Sequence, residues 1–171
     1  MSEAIEGAGM GEYKNNVIPE TIKKQVNDQS AVVVISAIGK NESIASEVAV
    51  KARIDEKDVL HYYELLESSR MQKNLVYSLW FDHPVTILVL TEEQQFSLRG
   101  KIYKALMAGY EFEREYEDIL AEVDEDADLS TVWEIEIKEV EEVSYPAGRR
   151  REKQEHPYLM HMDHIYINPE Q

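Results

Sequence analysis

Two serines, an arginine and a lysine stand close together in the stretch ESSRMQKNL (67–75): Ser68, Ser69, Arg70 and Lys73. Hydroxyls beside a guanidinium, with an ammonium one helical turn further on, are the groups that hold an anion such as a phosphate. If a strand ends at the serines and a helix begins at once, free backbone N–H groups and the helix dipole also face negative charge. A guanidinium there grips a phosphate through two parallel hydrogen bonds, each contributing about 1.5–3 kcal/mol when dry. A plainer reading uses the same residues: Ser68 or Ser69 caps the helix, and Arg70 is a solvated surface charge. Local sequence leaves both open.

Other reactive side chains offer less. The segment HPYLMHMDH contains His156, His161 and His164, the last two spaced to share a helical face, but it has no carboxylate in a convincing third position, so no metal site is assigned. Its apolar Tyr158, Leu159, Met160, Ile165 and Tyr166 instead predict a tail that packs on a partner subunit. Glu134, Glu136, Glu139, Glu141 and Glu142 read as a solvated strand face. Trp80 and Trp133 could stack on a planar ligand, although large aromatics in such elements usually serve the core. The chain has no cysteine, which excludes disulfides, a thiolate nucleophile and zinc–sulfur sites. No acid–base catalytic residue is identified.

The elements that must position these groups follow from composition and period. With 171 residues, 43% of them hydrophobic, the chain is long enough for one domain and a tail: an N-terminal arm over 1–16, a domain over 17–146 and a tail over 147–171. A net charge of −16 disfavours nucleic acid, whose backbone requires a dense basic face. No basic segment leads into an apolar run at the start, and no stretch is apolar enough to span a bilayer, so a cytoplasmic protein with no membrane contact is expected.

A short helix is expected after Pro19, ending near Asn27. The β-branched run 31–55, broken at Gly39, Lys40 and Asn41, predicts a hairpin of two strands. VLHYY is read as a third strand leading into a helix from Arg70 to Phe81, against the rival reading of one helix over 55–80. Strands at 85–90 and from Gln95, a helix over 110–123 and a long strand from Ser130 complete the series. Gly100 within a strand predicts a bulge or a close approach, and the slip in alternation after Ile137 predicts a bulge near Lys138. Six strands and three helices without βαβ alternation favour a small closed barrel.

The order SRMQKNL, helix, DHPVTILVL, hairpin and a strand ending in LRGKIYKA resembles the pyridoxamine 5′-phosphate oxidase-like family of FMN-binding split barrels, over about residues 18–145. The resemblance implies a mainly β (α+β) fold, a six-stranded antiparallel split β-barrel with flanking helices. It also implies a homodimer with FMN at the subunit interface. Ser69 and Arg70, with Ser68 and Lys73 beside them, fall where the family binds the flavin phosphate. Gln95 matches a glutamine beside the flavin ring, and Lys51 and Arg53 lie on the strand that supplies further phosphate ligands. Met71 stands where the oxidases often have a second basic residue or a threonine. GRRREKQEH departs from the substrate-phosphate pattern of true vitamin B6 oxidases. The implied function is FMN-dependent oxidoreduction of an unidentified small molecule, with NAD(P)H as electron donor. The alternative is a non-catalytic flavin- or haem-binding dimer, in which His161 or His164 would be the iron ligand.

Overall fold

The computed structural model describes residues 14–15 and 17–157 of the chain. A two-residue strand β1 (Lys14–Asn15) precedes helix α1 (Glu20–Asn27) and strands β2 (Val32–Ile38), β3 (Ile44–Val48), β4 (Ala52–Ile54) and β5 (Val59–Glu64). Then come α2 (Arg70–Trp80), β6 (Val85–Leu90), β7 (Gln95–Leu106), α3 (Tyr110–Glu122), β8 (Thr131–Glu142) and α4 (Tyr145–Glu155).

Alternation in the strands decides which side chains go inside. Val33 and Ile35 on β2, Ile87 and Val89 on β6, and Phe96 and Leu98 on β7 are buried together, while their in-between neighbours face out. All described strand pairs are antiparallel, in the order β3-β2-β6-β7-β8-β5-β4, with β1 added beside β8. The two ends of that path, β3 and β4, are neighbours in the chain, joined only by residues 49–51. So short a link brings the sheet margins together and curls the sheet into a split barrel. The Ala49 amide bonds the Val33 carbonyl (2.8 Å), and the Lys51 carbonyl accepts the Tyr63 amide (3.4 Å), tying the link to both flanks.

The α1 helix adds Ile22 and Val26 to the barrel core and is fixed by Asn27, whose side chain both donates to and accepts from the Ile54 backbone at 2.9 and 2.8 Å. A second, smaller core lies under α3, where Ile119 packs with Tyr63, Leu106, Leu129 and Val132.

The bulge expected near Lys138 is present. Arg99 faces Glu139 and Gly100 faces Ile137, so Lys138 is the extra residue. Gly100 is also a close approach, since a Cβ there would overlap the Ile135 side chain. Residues 59–64 form a strand and a separate helix starts at Arg70, in place of a single rod.

Two elements differ from expectation. The second strand of the first hairpin divides into β3 and β4, because the chain must cross from one sheet margin to the other within residues 49–51; with β1, the strands among the described residues number eight rather than six. A fourth helix, α4, follows Ser144, whose hydroxyl accepts the Ala147 amide, with Pro146 in the first turn.

Candidate functional site

Successive residues of β5 point to opposite sides. Leu60 and Tyr62 enter the barrel core, and Tyr63 faces the core under α3. The strand ends at Glu64, and five residues later Ser69 caps α2, its hydroxyl oxygen accepting the Gln72 amide at 2.8 Å. Gln72 is itself fixed: its side chain donates to Thr131 Oγ1 (2.8 Å) and accepts from the Trp133 indole (2.9 Å). Further along, Asn74 donates to the Ala37 and Ser43 carbonyls (2.9 and 3.1 Å) and Ser78 to the Ile38 carbonyl (3.1 Å). These bonds staple α2 to the β2–β3 hairpin and fix the direction of its first turn.

That first turn presents Ser68, Arg70 and Lys73 to solvent. Among the described residues neither Arg70 nor Lys73 is in an ion pair. Ser69 is more engaged. Its hydroxyl donates to Glu64 Oε2 at 3.0 Å, while Glu64 Oε1 accepts the Leu66 amide at 2.9 Å. Glu64 is 3% exposed and also lies 3.4 Å from the Tyr62 hydroxyl. Burial, and then the charge of Glu64, hold the nearby Glu47 carboxyl above its ordinary value. Burial and the same two carboxylates push the Tyr62 hydroxyl far up.

The predicted residues thus fall into three groups. Ser68, Ser69, Arg70 and Lys73 share the head of α2. Lys51, just before β4, and Arg53, within it, turn toward α3. Lys51 pairs with Glu122 (2.6 Å) and lies over the Tyr63 ring, and Arg53 pairs with Glu115 (2.8 Å). Gln95, at the start of β7, is exposed on the outer sheet face opposite Leu90 and Val32. Trp133 is buried at 1% exposure, as a core residue, whereas Trp80 is 79% exposed. His161 and His164 lie outside the described residues.

Sequence reasoning passed over a cleft of about 420 Å³ between α3 and the outer face of β4, β5, β7 and β8. Across its floor the register aligns Arg53, His61, Glu134 and Lys104. His61 Nε2 is 3.1 Å from Asp55 Oδ2. Burial acts to raise the Asp55 carboxyl, but hydrogen bonds from His61 and the Val59 and Lys57 amides outweigh it and hold the group below its ordinary value. Burial, then a hydrogen bond to Glu134, pushes the Tyr103 hydroxyl up to about 12. The charges of this cleft are largely paired with one another, Arg53 with Glu115 and Lys104 with Glu111, and the His61 ring is hydrogen-bonded to Asp55. The signal in sequence was the alternation of charged residues at 53, 61, 104 and 134, visible only once register is known. Among the described residues no group of three or more His, Asp or Glu side chains is arranged to hold a metal ion.

The architecture is a split β-barrel, and solved structures of similar fold include proteins described as FMN-binding and as a candidate pyridoxamine 5′-phosphate oxidase. HupZ of Group A Streptococcus superposes with a TM-score of 0.61, over 75% of this chain and 96% of its own, at 11% identity. An FMN-binding protein of Syntrophomonas wolfei gives 0.55 over 73% and 90%, at 14% identity. A candidate pyridoxamine 5′-phosphate oxidase of Lactobacillus delbrueckii gives 0.53 over 75% and 98%, at 13% identity. At such identities the shared property is the fold. No family model matches the chain, and no curated protein matches it in sequence.

Proposed function

We propose that the protein is an FMN-binding flavoprotein, and that it acts as an oxidoreductase on a small molecule other than a B6 vitamer. The observation that carries this reading is the head of α2: two cations without ion-pair partners among the described residues, one turn apart at a helix N-terminus that a five-residue turn separates from strand β5 of a split barrel. Ser68, Arg70 and Lys73 fit a phosphate as they stand. Ser69 fits one once its hydroxyl is released from Glu64.

A bound flavin supplies the electron or hydride chemistry, and the protein supplies position and electrostatics. Arg70 would hold the phosphate in a planar, two-bond grip, and Lys73 would add positive potential. Lys51 and Arg53 would contribute only on release from Glu122 and Glu115, toward which they turn, and Gln95 would meet the ring of a flavin held across the interface of a homodimer.

The outer face of the sheet supports the dimer. Val48 (63% exposed) aligns with Val34 and Leu88, and Val32 (47% exposed) with Leu90 and Gln95, so an apolar patch lies beside the glutamine.

Titration of the purified protein with FMN, followed by flavin fluorescence, tests the reading. We expect saturable binding, weakened at least tenfold by Arg70→Ala, as the loss of about 1.5–3 kcal/mol per charged hydrogen bond requires. Binding unaffected by Arg70→Ala would remove the phosphate assignment. Oxidation of NAD(P)H by the FMN-loaded protein separates an enzyme from a carrier. A haem spectrum in place of a flavin one, lost in His161→Ala or His164→Ala, would select the haem-binding alternative.

A further inference from the structure

The head of α2 already holds an anion, and that anion belongs to the protein. We propose that Glu64 competes for the donors of the phosphate site: an incoming phosphate displaces its carboxylate from Ser69, and binding takes up one proton from solvent onto Glu64. This rests on the phosphate reading above and adds a linked proton to it.

The argument begins with donor count. A serine has one O–H to give, and that of Ser69 goes to Glu64 Oε2 at 3.0 Å. Its oxygen is meanwhile held by the Gln72 amide at 2.8 Å. The Leu66 amide, a second donor of the same turn, is taken by Glu64 Oε1 at 2.9 Å. A phosphate can therefore recruit Ser69 only if Glu64 releases it. A carboxylate that releases these donors while 3% exposed would be left buried and unbonded, beside a new dianion. Protonation removes that conflict. A neutral carboxyl becomes a donor itself, able to offer its O–H to a phosphate oxygen.

The surroundings favour the proton. The groups facing Glu64 are Tyr62 on its own strand, Glu47 on β3, Ser69 on α2 and the uncharged Thr131 opposite it on β8. Among the described residues none of the lysines or arginines pairs with Glu64. Lys51, the nearest in the sheet ladder, turns away to Glu122. The cations of the site, Arg70 and Lys73, stand on its solvent side. Glu47 on β3 adds a second negative charge beside Glu64, and burial, then the charge of Glu64, holds the Glu47 carboxyl above its ordinary value.

Calorimetric titration with FMN in two buffers of different ionisation enthalpy counts the protons. At pH 7.5 we expect uptake of close to one proton by the wild type and close to none by Glu64→Gln. The glutamine variant should bind FMN at least tenfold more tightly at pH 8, and the excess pH dependence of the wild type should disappear; the titration of the phosphate itself is common to both proteins and cancels. Glu47→Gln leaves the cap of α2 intact and should shift the profile in the same direction by a smaller factor, which keeps the test available if Glu64→Gln does not fold. Equal affinity and equal proton count in wild type and both variants would overturn the role of Glu64 while leaving the flavin site standing. Failure of every variant to bind FMN between pH 5 and pH 9 would overturn both.

Discussion

Ser69 shows that one side chain can satisfy two readings of a sequence. The hydroxyl caps α2, as the plainer reading requires, yet Arg70 beside it is an exposed cation with no ion-pair partner among the described residues. The serine, the arginine and the lysine were legible because caps and anion sites draw on the same few residue types. Glu64 was not, because an acid at the end of a strand looks like any solvated charge until its burial is known. Lys51 and Arg53 were legible as cations but not in direction, since a period of two does not say which face α3 will cover. The same carboxylate cluster yields a stability prediction. The folded-state value of Glu47 lies above its unfolded one, so its favourable contribution exists at low pH and is lost as pH rises through the folded value. Glu47→Gln should accordingly melt higher than the wild type at pH 7, with the gap closing below about pH 4, where the carboxyl is neutral in both states. A lower melting temperature at pH 7 would contradict the repulsion assigned to this pair. Asp55 runs the other way: its value is depressed, and its contribution is present at neutral pH and lost on acidification.

Among the elements, α2 owes its placement to two contacts that periodicity cannot reveal. Asn74 reaches the Ala37 and Ser43 carbonyls, and Gly39 leaves room for it, since a Cβ at that position would overlap the Asn74 carboxamide oxygen. The carboxamide is held at its other end and cannot easily turn aside. Gly39→Ala should therefore cost about 1–3 kcal/mol in urea unfolding, and should weaken any ligand at the head of α2 by shifting the helix. An unchanged unfolding midpoint would show that the staple gives way. The helices α1, α2 and α3, and the bulge at Lys138, were legible because each carries its own local signal: a proline start, an apolar face, a slip in alternation. The division between β3 and β4 was not, because VAVKARI alternates as one strand would and only the sheet order divides it. The α4 helix had its Ser144 and Pro146 signal, but its exposed, highly charged turns have almost no apolar face, with Ala147 its one buried residue.

Across the whole molecule, a small barrel could be anticipated because few strands with many apolar positions must close, and that it is a split barrel was implied by the family resemblance. The order β3-β2-β6-β7-β8-β5-β4 could not, since pairing between distant strands is set by complementary surfaces rather than local propensity. The outer face of β2, β3 and β6 leaves Val32 and Val48 uncovered among the described residues. If a second copy covers them, Val48→Lys places two like charges near the contact, and sedimentation should show a dimer dissociating at least tenfold more readily. Flavin affinity should fall with it. A sedimentation coefficient unchanged at every concentration would move the interface elsewhere.

The bridge made by residues 49–51 fastens the barrel at one end of its seam, and among the described residues no strand pairing joins the margins along the rest. The described margins β3 and β4 share no rungs, so prising them apart disturbs side-chain packing while every sheet ladder stays intact. A barrel fastened like a purse with a single clasp would open along that slit before any ladder breaks, to a girth set by how far three residues can stretch.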